Sequence, residues 1–192
     1  SRRARTEKNL QKGELRPELT HILCLMSAPD EKDVFLDPFS GSGAIPFART
    51  NYPYNMIFLS DINPDKISHI KKAIKTGKFM WQKKNCPLIT RVADARQLDR
   101  FTDGFINKIV TDPPWGLFDT SIHNIHNFYC DIMTEFIRIT CDYGFIIMLI
   151  GQKNIADEIT ADNAATLKLI ERYEVLVNGQ KASVLKWQRL AR

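Results

Sequence analysis

The sequence is poor in features that would brace or anchor a protein from outside its own core. Its four cysteines, Cys24, Cys86, Cys130 and Cys141, are scattered and include no Cys-x-x-Cys pair. That excludes a disulfide framework and a clustered zinc motif, and it leaves reduced thiols. Histidine is equally scarce. His123 and His126 stand three apart, but no further ligand cluster accompanies them in the sequence, and no bound metal is expected. The longest wholly apolar run, Phe145 to Ile150, is far too short to cross a bilayer, and no signal peptide is recognisable. Internal repeats and low-complexity tracts are absent from the sequence. A cytoplasmic protein is expected, and a start at Ser1 in place of Met is what a fragment or a processed product would show.

What is present suits one domain. A chain of 192 residues, 44% apolar and 26% charged, has the composition of an ordinary globular protein with a sizeable core. The formal net charge of +5 is compatible with a polyanionic partner. Much of the excess lies early, where Arg2, Arg3, Arg5, Lys8, Lys12 and Arg16 face only Glu7 and Glu14. Such a run is more often a solvated terminus than a nucleic-acid arm. Residues 1–14 are therefore set apart as a basic segment, and residues 15–192 as the folded domain.

One stretch organises that domain. Val34 to Leu36 is a short apolar strand stopped by Asp37-Pro38, because no proline fits inside a central strand. Gly41 and Gly43 then allow a tight turn and close approach of a ligand. Ser42 is expected to cap a helix over Ala44–Arg49. Strand, glycine turn and helix form the first unit of a doubly wound, Rossmann-like α/β sheet. Further strands are expected at Asn55–Ser60, Leu88–Val92, Ile106–Thr111 and Tyr143–Ile150. Helices are expected at Pro17–Met26, from Asn63-Pro64 to Gly77, at Phe128–Thr140 and from roughly Ile155 to Arg172. Lys71, Lys72, Lys75 and Lys78 then form a solvated helix face. Tyr173–Val177 and Ala182–Gln188, joined by Asn178-Gly179, carry the signature of a type I′ hairpin. The expected fold is a mainly parallel sheet with a C-terminal antiparallel hairpin.

Asp37, Asp61, Asp94 and Asp112 each end a predicted strand, so four acids would line one crevice. Singly, each is explained as a turn former or cap; four at the same topological position are not. Pro46 replaces the third glycine of Gly-x-Gly-x-x-Gly, and Asp37 would repel a pyrophosphate, whereas it suits the cationic end of S-adenosylmethionine. Asp61, twenty residues beyond Gly41, stands where an acid accepts from ribose hydroxyls, which fits NAD equally well. Asp94 with Ala95 would receive an adenine amine. Asp112-Pro113-Pro114-Trp115 discriminates, because a carboxylate and a carbonyl there can hold an exocyclic amine, with Trp115 stacking on an extruded base.

These segments resemble the class I S-adenosylmethionine-dependent methyltransferases that act on exocyclic amines. Among them, Leu15-Arg16-Pro17-Glu18-Leu19, Asp37-Pro38-Phe39-Ser40-Gly41-Ser42-Gly43-Ala44-Ile45-Pro46 and Thr111-Asp112-Pro113-Pro114-Trp115-Gly116 are similar to the THUMP-associated RNA guanine-N-methyltransferases. Trp115 stands where that family more often has Tyr. The resemblance runs from about Leu15 to the final hairpin. It implies methylation of guanine in tRNA or ribosomal RNA, with S-adenosylmethionine held by Asp37, Phe39, Ser40, Gly41, Ser42, Gly43, Asp61, Ile62, Asp94 and Ala95. It also implies a catalytic Asp112, Pro113, Pro114 and Trp115, no metal, and RNA capture helped by an N-terminal module beyond this sequence. The loop from Gly116 to Asn127, with Phe118, His123 and His126, would wall the substrate pocket. Three other readings stay open: a DNA adenine or cytosine amino-methyltransferase, a protein-glutamine methyltransferase, and a non-catalytic cofactor- or RNA-binding subunit.

Overall fold

Phe145 to Ile150 explains the layering of the domain. Ile146, Met148 and Ile150 face one apolar core while Ile147 and Leu149 face a second, so this strand is covered on both sides. A computed structural model describes residues 15–77, 86–116 and 124–192. The basic segment 1–14, Lys78, and Phe118 and His123 of the expected loop lie outside the described residues.

The elements are α1 (Pro17–Met26), β1 (Val34–Asp37), α2 (Ala44–Arg49), β2 (Met56–Asp61), α3 (Pro64–Lys75), β3 (Leu88–Val92) and β4 (Ile106–Thr111). They continue with α4 (Ile125–Ile139), β5 (Thr140–Ile150), α5 (Lys153–Asp162), β6 (Leu167–Val177) and β7 (Gln180–Arg189). One seven-stranded sheet has the order β3-β2-β1-β4-β5-β7-β6. The first five strands in that order pair in parallel, and β7 pairs antiparallel with both β5 and β6. Residues of α1, α2 and α3 pack on one face of the sheet, and those of α4 and α5 on the other. The expected doubly wound architecture with its closing hairpin is what the chain adopts. Asn178 and Gly179 take φ of 50° and 82°, both positive as a type I′ turn requires.

Three local expectations are corrected. The residue capping α2 is Gly43, at φ 88°, and not Ser42; no side chain caps that end. A Cβ on Gly43 would lie 2.3 Å from the Phe47 ring, so only glycine fits the entry to this helix. Helix α4 begins at Ile125 rather than Phe128, because the Asn124 side chain accepts from the Asn127 N–H and starts the helix earlier. This puts His126 on a helix and gives Thr140 to β5. Finally, the helix expected to run to Arg172 stops at Asp162. Residues from Leu167 onward form β6, paired with β7 from Leu167↔Arg189 to Val177↔Gln180. Non-local pairing overrides the local helical pattern there.

Arg49, at the end of α2, is fully buried, and its guanidinium donates to Asp33 Oδ2 at 2.8 Å and to the Pro53 carbonyl at 2.5 Å. It lies over the Phe35 and Tyr54 rings, at 5.3 and 5.9 Å from their centroids. Burial raises Asp33 and lowers Arg49 even though each stabilises the other's charge, so desolvation outweighs their attraction. Removing one partner strands the other. Arg49→Met should destabilise the domain by about 3–5 kcal/mol in urea unfolding. The double variant Arg49→Met with Asp33→Asn should cost less than Arg49→Met alone, and additive losses would rule out coupling between the two.

Candidate active site

The site is assembled by the order of the strands. β1 is flanked by β2 and β4, and the direction of winding reverses between β1 and β4, which opens a crevice beyond their carboxyl ends. Asp37 ends β1, Asp61 ends β2 and Asp112 follows β4. The Thr111 hydroxyl donates to Asp37 Oδ1 at 2.6 Å, and the Phe39 N–H donates to the same oxygen at 3.1 Å. Ser40 Oγ donates to the Asp37 carbonyl at 2.8 Å, and the Ser40 N–H donates to the Ser60 carbonyl at 2.9 Å. Asp61 ties the turn to α3. Its Oδ2 accepts from the Gly41 N–H at 3.0 Å, and its Oδ1 accepts from the Asn63 N–H at 2.9 Å. Lys66 Nζ stands 3.5 Å from Asp61 Oδ2.

The charges here are held under tension. Burial pushes Asp37 up to about 7, reinforced by the neighbouring Asp112 and Asp61 carboxylates and opposed by the Thr111 and Phe39 donors. Burial also pushes Asp112 up to about 7, opposed by a hydrogen bond from the Trp115 indole. Two acids that titrate near neutrality beside each other are a mark of a site arranged for chemistry or for a cationic ligand.

Trp115 is more committed than its sequence position suggests. Its Nε1–H donates to Asp112 Oδ1 at 2.8 Å, and its carbonyl accepts from Gln152 Nε2 at 2.7 Å. Its ring lies so close to Gly151 that a Cβ there would be 2.2 Å from the indole. Tyr129, fully buried on α4, donates its hydroxyl to the Pro114 carbonyl at 3.2 Å. The Pro113 carbonyl accepts no hydrogen bond among the described residues. Tyr129, Gly151 and Gln152 were not singled out from the sequence. Gln152 is 37 residues from the backbone it supports, and no local pattern announces such a contact.

The remaining expected cofactor positions lie just beyond the carboxyl ends of β1, β2 and β3. Phe39 is half-buried against Phe128, with ring centroids 5.9 Å apart, and Ser42 is exposed on the turn. Ile62 follows Asp61 with 61% of its surface exposed, and Ala95 is buried beyond β3. Asp94 sits at the same edge, but its carboxylate faces Arg96, whose Nη2 donates at 2.6 Å and whose backbone N–H donates at 2.9 Å; this pairing lowers it. A separate cavity of about 820 Å³ lies over β2 and β3 and is lined by Phe58, Ser60, Thr90, Phe101 and Phe105. It includes none of these site residues.

The residues present fit S-adenosylmethionine. A Cβ at Gly41 would meet only the Phe39 carbonyl, at 3.8 Å, so the outer side of the turn is open to a ligand. Each Asp61 oxygen accepts one backbone N–H and keeps capacity for a ribose hydroxyl. Asp37, when ionised, supplies negative charge beside the turn, and the exposed Ile62 presents apolar surface next to Asp61. When bound, S-adenosylmethionine supplies a methyl carbon made electrophilic by its sulfonium.

Comparison with known proteins agrees. A family model described as D12 class N6 adenine-specific DNA methyltransferase matches residues 16–156. No curated protein matches the sequence. Among solved structures, TrmN from Thermus thermophilus has a TM-score of 0.76 at 21% identity, covering 93% of this chain and 50% of that one. The chain thus spans half the length of that protein. A SAM-dependent methyltransferase from Methanosarcina mazei has a TM-score of 0.69 at 15% identity, covering 88% of this chain and 97% of that one. An rRNA methylase from Streptococcus thermophilus has a TM-score of 0.65 at 10% identity, covering 91% and 97%. At such identities the solved structures establish the class I methyltransferase fold. The family match spans the glycine turn, Asp61 and the whole of the Asp112–Trp115 segment. The chain belongs to this D12-class family and is an S-adenosylmethionine-dependent N-methyltransferase.

Proposed function

We propose that the chain methylates the exocyclic amine of guanine in a structured RNA, either tRNA or ribosomal RNA. One observation carries the reading. Two acceptors, the Asp112 carboxylate and the Pro113 carbonyl, stand next to each other at the crevice, and Pro113 accepts no hydrogen bond among the described residues. An exocyclic amine has two N–H donors for such a pair. Its lone pair is delocalised into the ring, so it is a weak nucleophile. Fixing both hydrogens turns that lone pair toward the reacting carbon, and positioning of this kind lowers the barrier substantially. As the nitrogen is alkylated its proton becomes acidic, and the ionised Asp112 carboxylate can take it.

Guanine is favoured by the side chain's chemistry. Ionised aspartate only accepts hydrogen bonds. Guanine presents its ring N1–H beside the N2 amine, so both donors can address one carboxylate. Adenine presents its amine beside the N1 acceptor, which a carboxylate repels. The net charge of +5 supports a polyanionic substrate. The likeness to TrmN supports RNA, while the family description supports a second reading, adenine in DNA.

Incubation of the protein with a labelled methyl donor and either tRNA, ribosomal RNA or duplex DNA separates the two. Digestion to nucleosides should yield 2-methylguanosine from an RNA, whereas N6-methyladenine from DNA alone would overturn the proposal in favour of the second reading.

Asp112→Ala should reduce methyl transfer by about 10³-fold with cofactor affinity nearly unchanged in calorimetry; a large loss of affinity would misplace its role. Acceptance of the amine requires the carboxylate form of Asp112. Since burial places its titration at about 7, kcat/KM should rise with pH through that value and then level. Trp115→Phe keeps a ring but removes the N–H that stabilises the carboxylate, so the rise should move to higher pH. An unmoved profile would dissociate Trp115 from Asp112. Asp61→Ala should weaken S-adenosylmethionine binding by roughly 10–100-fold, the range for a hydrogen bond to a charged group. An unchanged dissociation constant would remove the ribose role.

A further inference from the structure

Away from the crevice, helices α4 and α5 pack against each other. Each carries two metal-binding side chains one turn apart: His126 and Cys130 on α4, Glu158 and Asp162 on α5. An i, i+4 spacing puts both members of a pair on the same face of their helix. His126 Nε2 lies 3.8 Å from Cys130 Sγ, 3.4 Å from Glu158 Oε2 and 3.7 Å from Asp162 Oδ2. The donor atoms of His126, Cys130 and Asp162 all fall within 4.8 Å of one another.

These lengths are informative. A tetrahedral zinc ion with bonds of about 2.0 Å to nitrogen or oxygen and about 2.3 Å to sulfur separates its ligand atoms by roughly 3.3–3.6 Å. The three contacts around His126 have nearly that length already, and the Cys130 and Asp162 donor atoms lie within 4.8 Å of each other, so closure asks chiefly for side-chain adjustment, with Glu158 approaching from its contact with His126. The charge balance points the same way. Asp157, on the same helix, is neutralised by Lys153 and Arg172. Glu158 and Asp162, which face α4, pair only with His126 among the described residues.

We propose that His126, Cys130 and Asp162, with Glu158 as fourth ligand, form a zinc site that clips α4 to α5. A mixed nitrogen, sulfur and oxygen donor set selects a borderline cation such as Zn²⁺ over Mg²⁺ or Ca²⁺. Binding replaces the Cys130 thiol proton, which passes to solvent; nothing is oxidised or reduced. The clip lies behind the substrate segment. α4 carries Tyr129, the donor to the Pro114 carbonyl, and α5 follows directly on Gln152, the donor to the Trp115 carbonyl. The spacing of His123 and His126 alone concealed the site, because half of its ligands come from a helix about thirty residues later.

The test is titration of the metal-free chain with Zn²⁺ by calorimetry and with Co²⁺ by absorption spectroscopy. One equivalent should bind with micromolar or tighter affinity, releasing a proton. The Co²⁺ form should show thiolate-to-metal charge transfer with tetrahedral visible bands. His126→Ala and Cys130→Ser should each weaken binding at least tenfold, and Cys130→Ser should abolish the charge-transfer band. Asp162→Asn should weaken binding several-fold. Cys86→Ser and Cys141→Ser, at thiols outside the cluster, should change nothing. Absence of stoichiometric binding would overturn the proposal, as would binding that survives Cys130→Ser or is lost with Cys86 or Cys141. The ligand side chains are surface-accessible, with His126 39%, Glu158 48% and Asp162 56% exposed, so the substitutions leave the core intact.

Discussion

The hydrogen bond from Thr111 to Asp37, 2.6 Å long, joins the ends of β1 and β4, and the rest of the site depends on it. The parallel register that pairs Phe35 with Lys108 and Leu36 with Ile109 brings these two ends level. One residue after Thr111 comes Asp112, and four after Asp37 comes Gly41 of the glycine turn. The group that suits a cation and the group that suits an amine are therefore held apart by a single side-chain contact. A slip of one residue between the strands would turn Thr111 to the opposite face and separate them. Because both strands are buried on both faces, such a slip would also expose apolar side chains, so core packing protects the chemistry.

Around that contact the protein maintains carboxylates where burial disfavours their charge. Asp37 and Asp112 both titrate near neutrality for this reason. The donors that hold them are arranged in shells. Thr111 and Phe39 address Asp37, and Trp115 addresses Asp112. Trp115 is in turn located by Gln152 and by the absence of a side chain at Gly151. Tyr129 fixes the Pro114 carbonyl, while that of Pro113 accepts no hydrogen bond among the described residues. Such preorganisation removes the need for solvent or side chains to rearrange as charge develops.

The parts legible in the sequence are those encoded over a few neighbouring residues. Strand ends at Asp37, Asp61 and Asp112, the Asn63 cap of α3 and the Asn178-Gly179 turn all follow from short-range stereochemistry, and the mainly parallel pairing follows from the alternation of strands with helices. The parts that were not legible depend on distant partners. Leu167 to Arg172 carries apolar residues at Leu167, Leu169 and Ile170, a pattern that serves a helix as readily as an edge strand. The choice is made by β7, which exists in space only after the hairpin forms. Ser42 yielded to Gly43 as the start of α2 because the Phe47 ring occupies the room a side chain would need. A stacking ring at Trp115 is legible in the motif, whereas the bond from its indole N–H to Asp112, three residues before it, is not. That bond is short in sequence, but the rotamer that makes it is set by Gly151 and Gln152 from across the fold.

The placement of β7 between β5 and β6 has a consequence for synthesis. The strand that fills the interior of the sheet is made after both of its neighbours. While the ribosome is still producing Gln180 to Arg189, the apolar edge of β5 has no partner on that side, and β6 has none to pair with. Sheet closure therefore waits on the latest-made strand, whose contacts with β5 span more than thirty residues. A stall or truncation before Trp187 would leave a long hydrophobic edge open to other chains, the circumstance in which nascent proteins aggregate and call on chaperones.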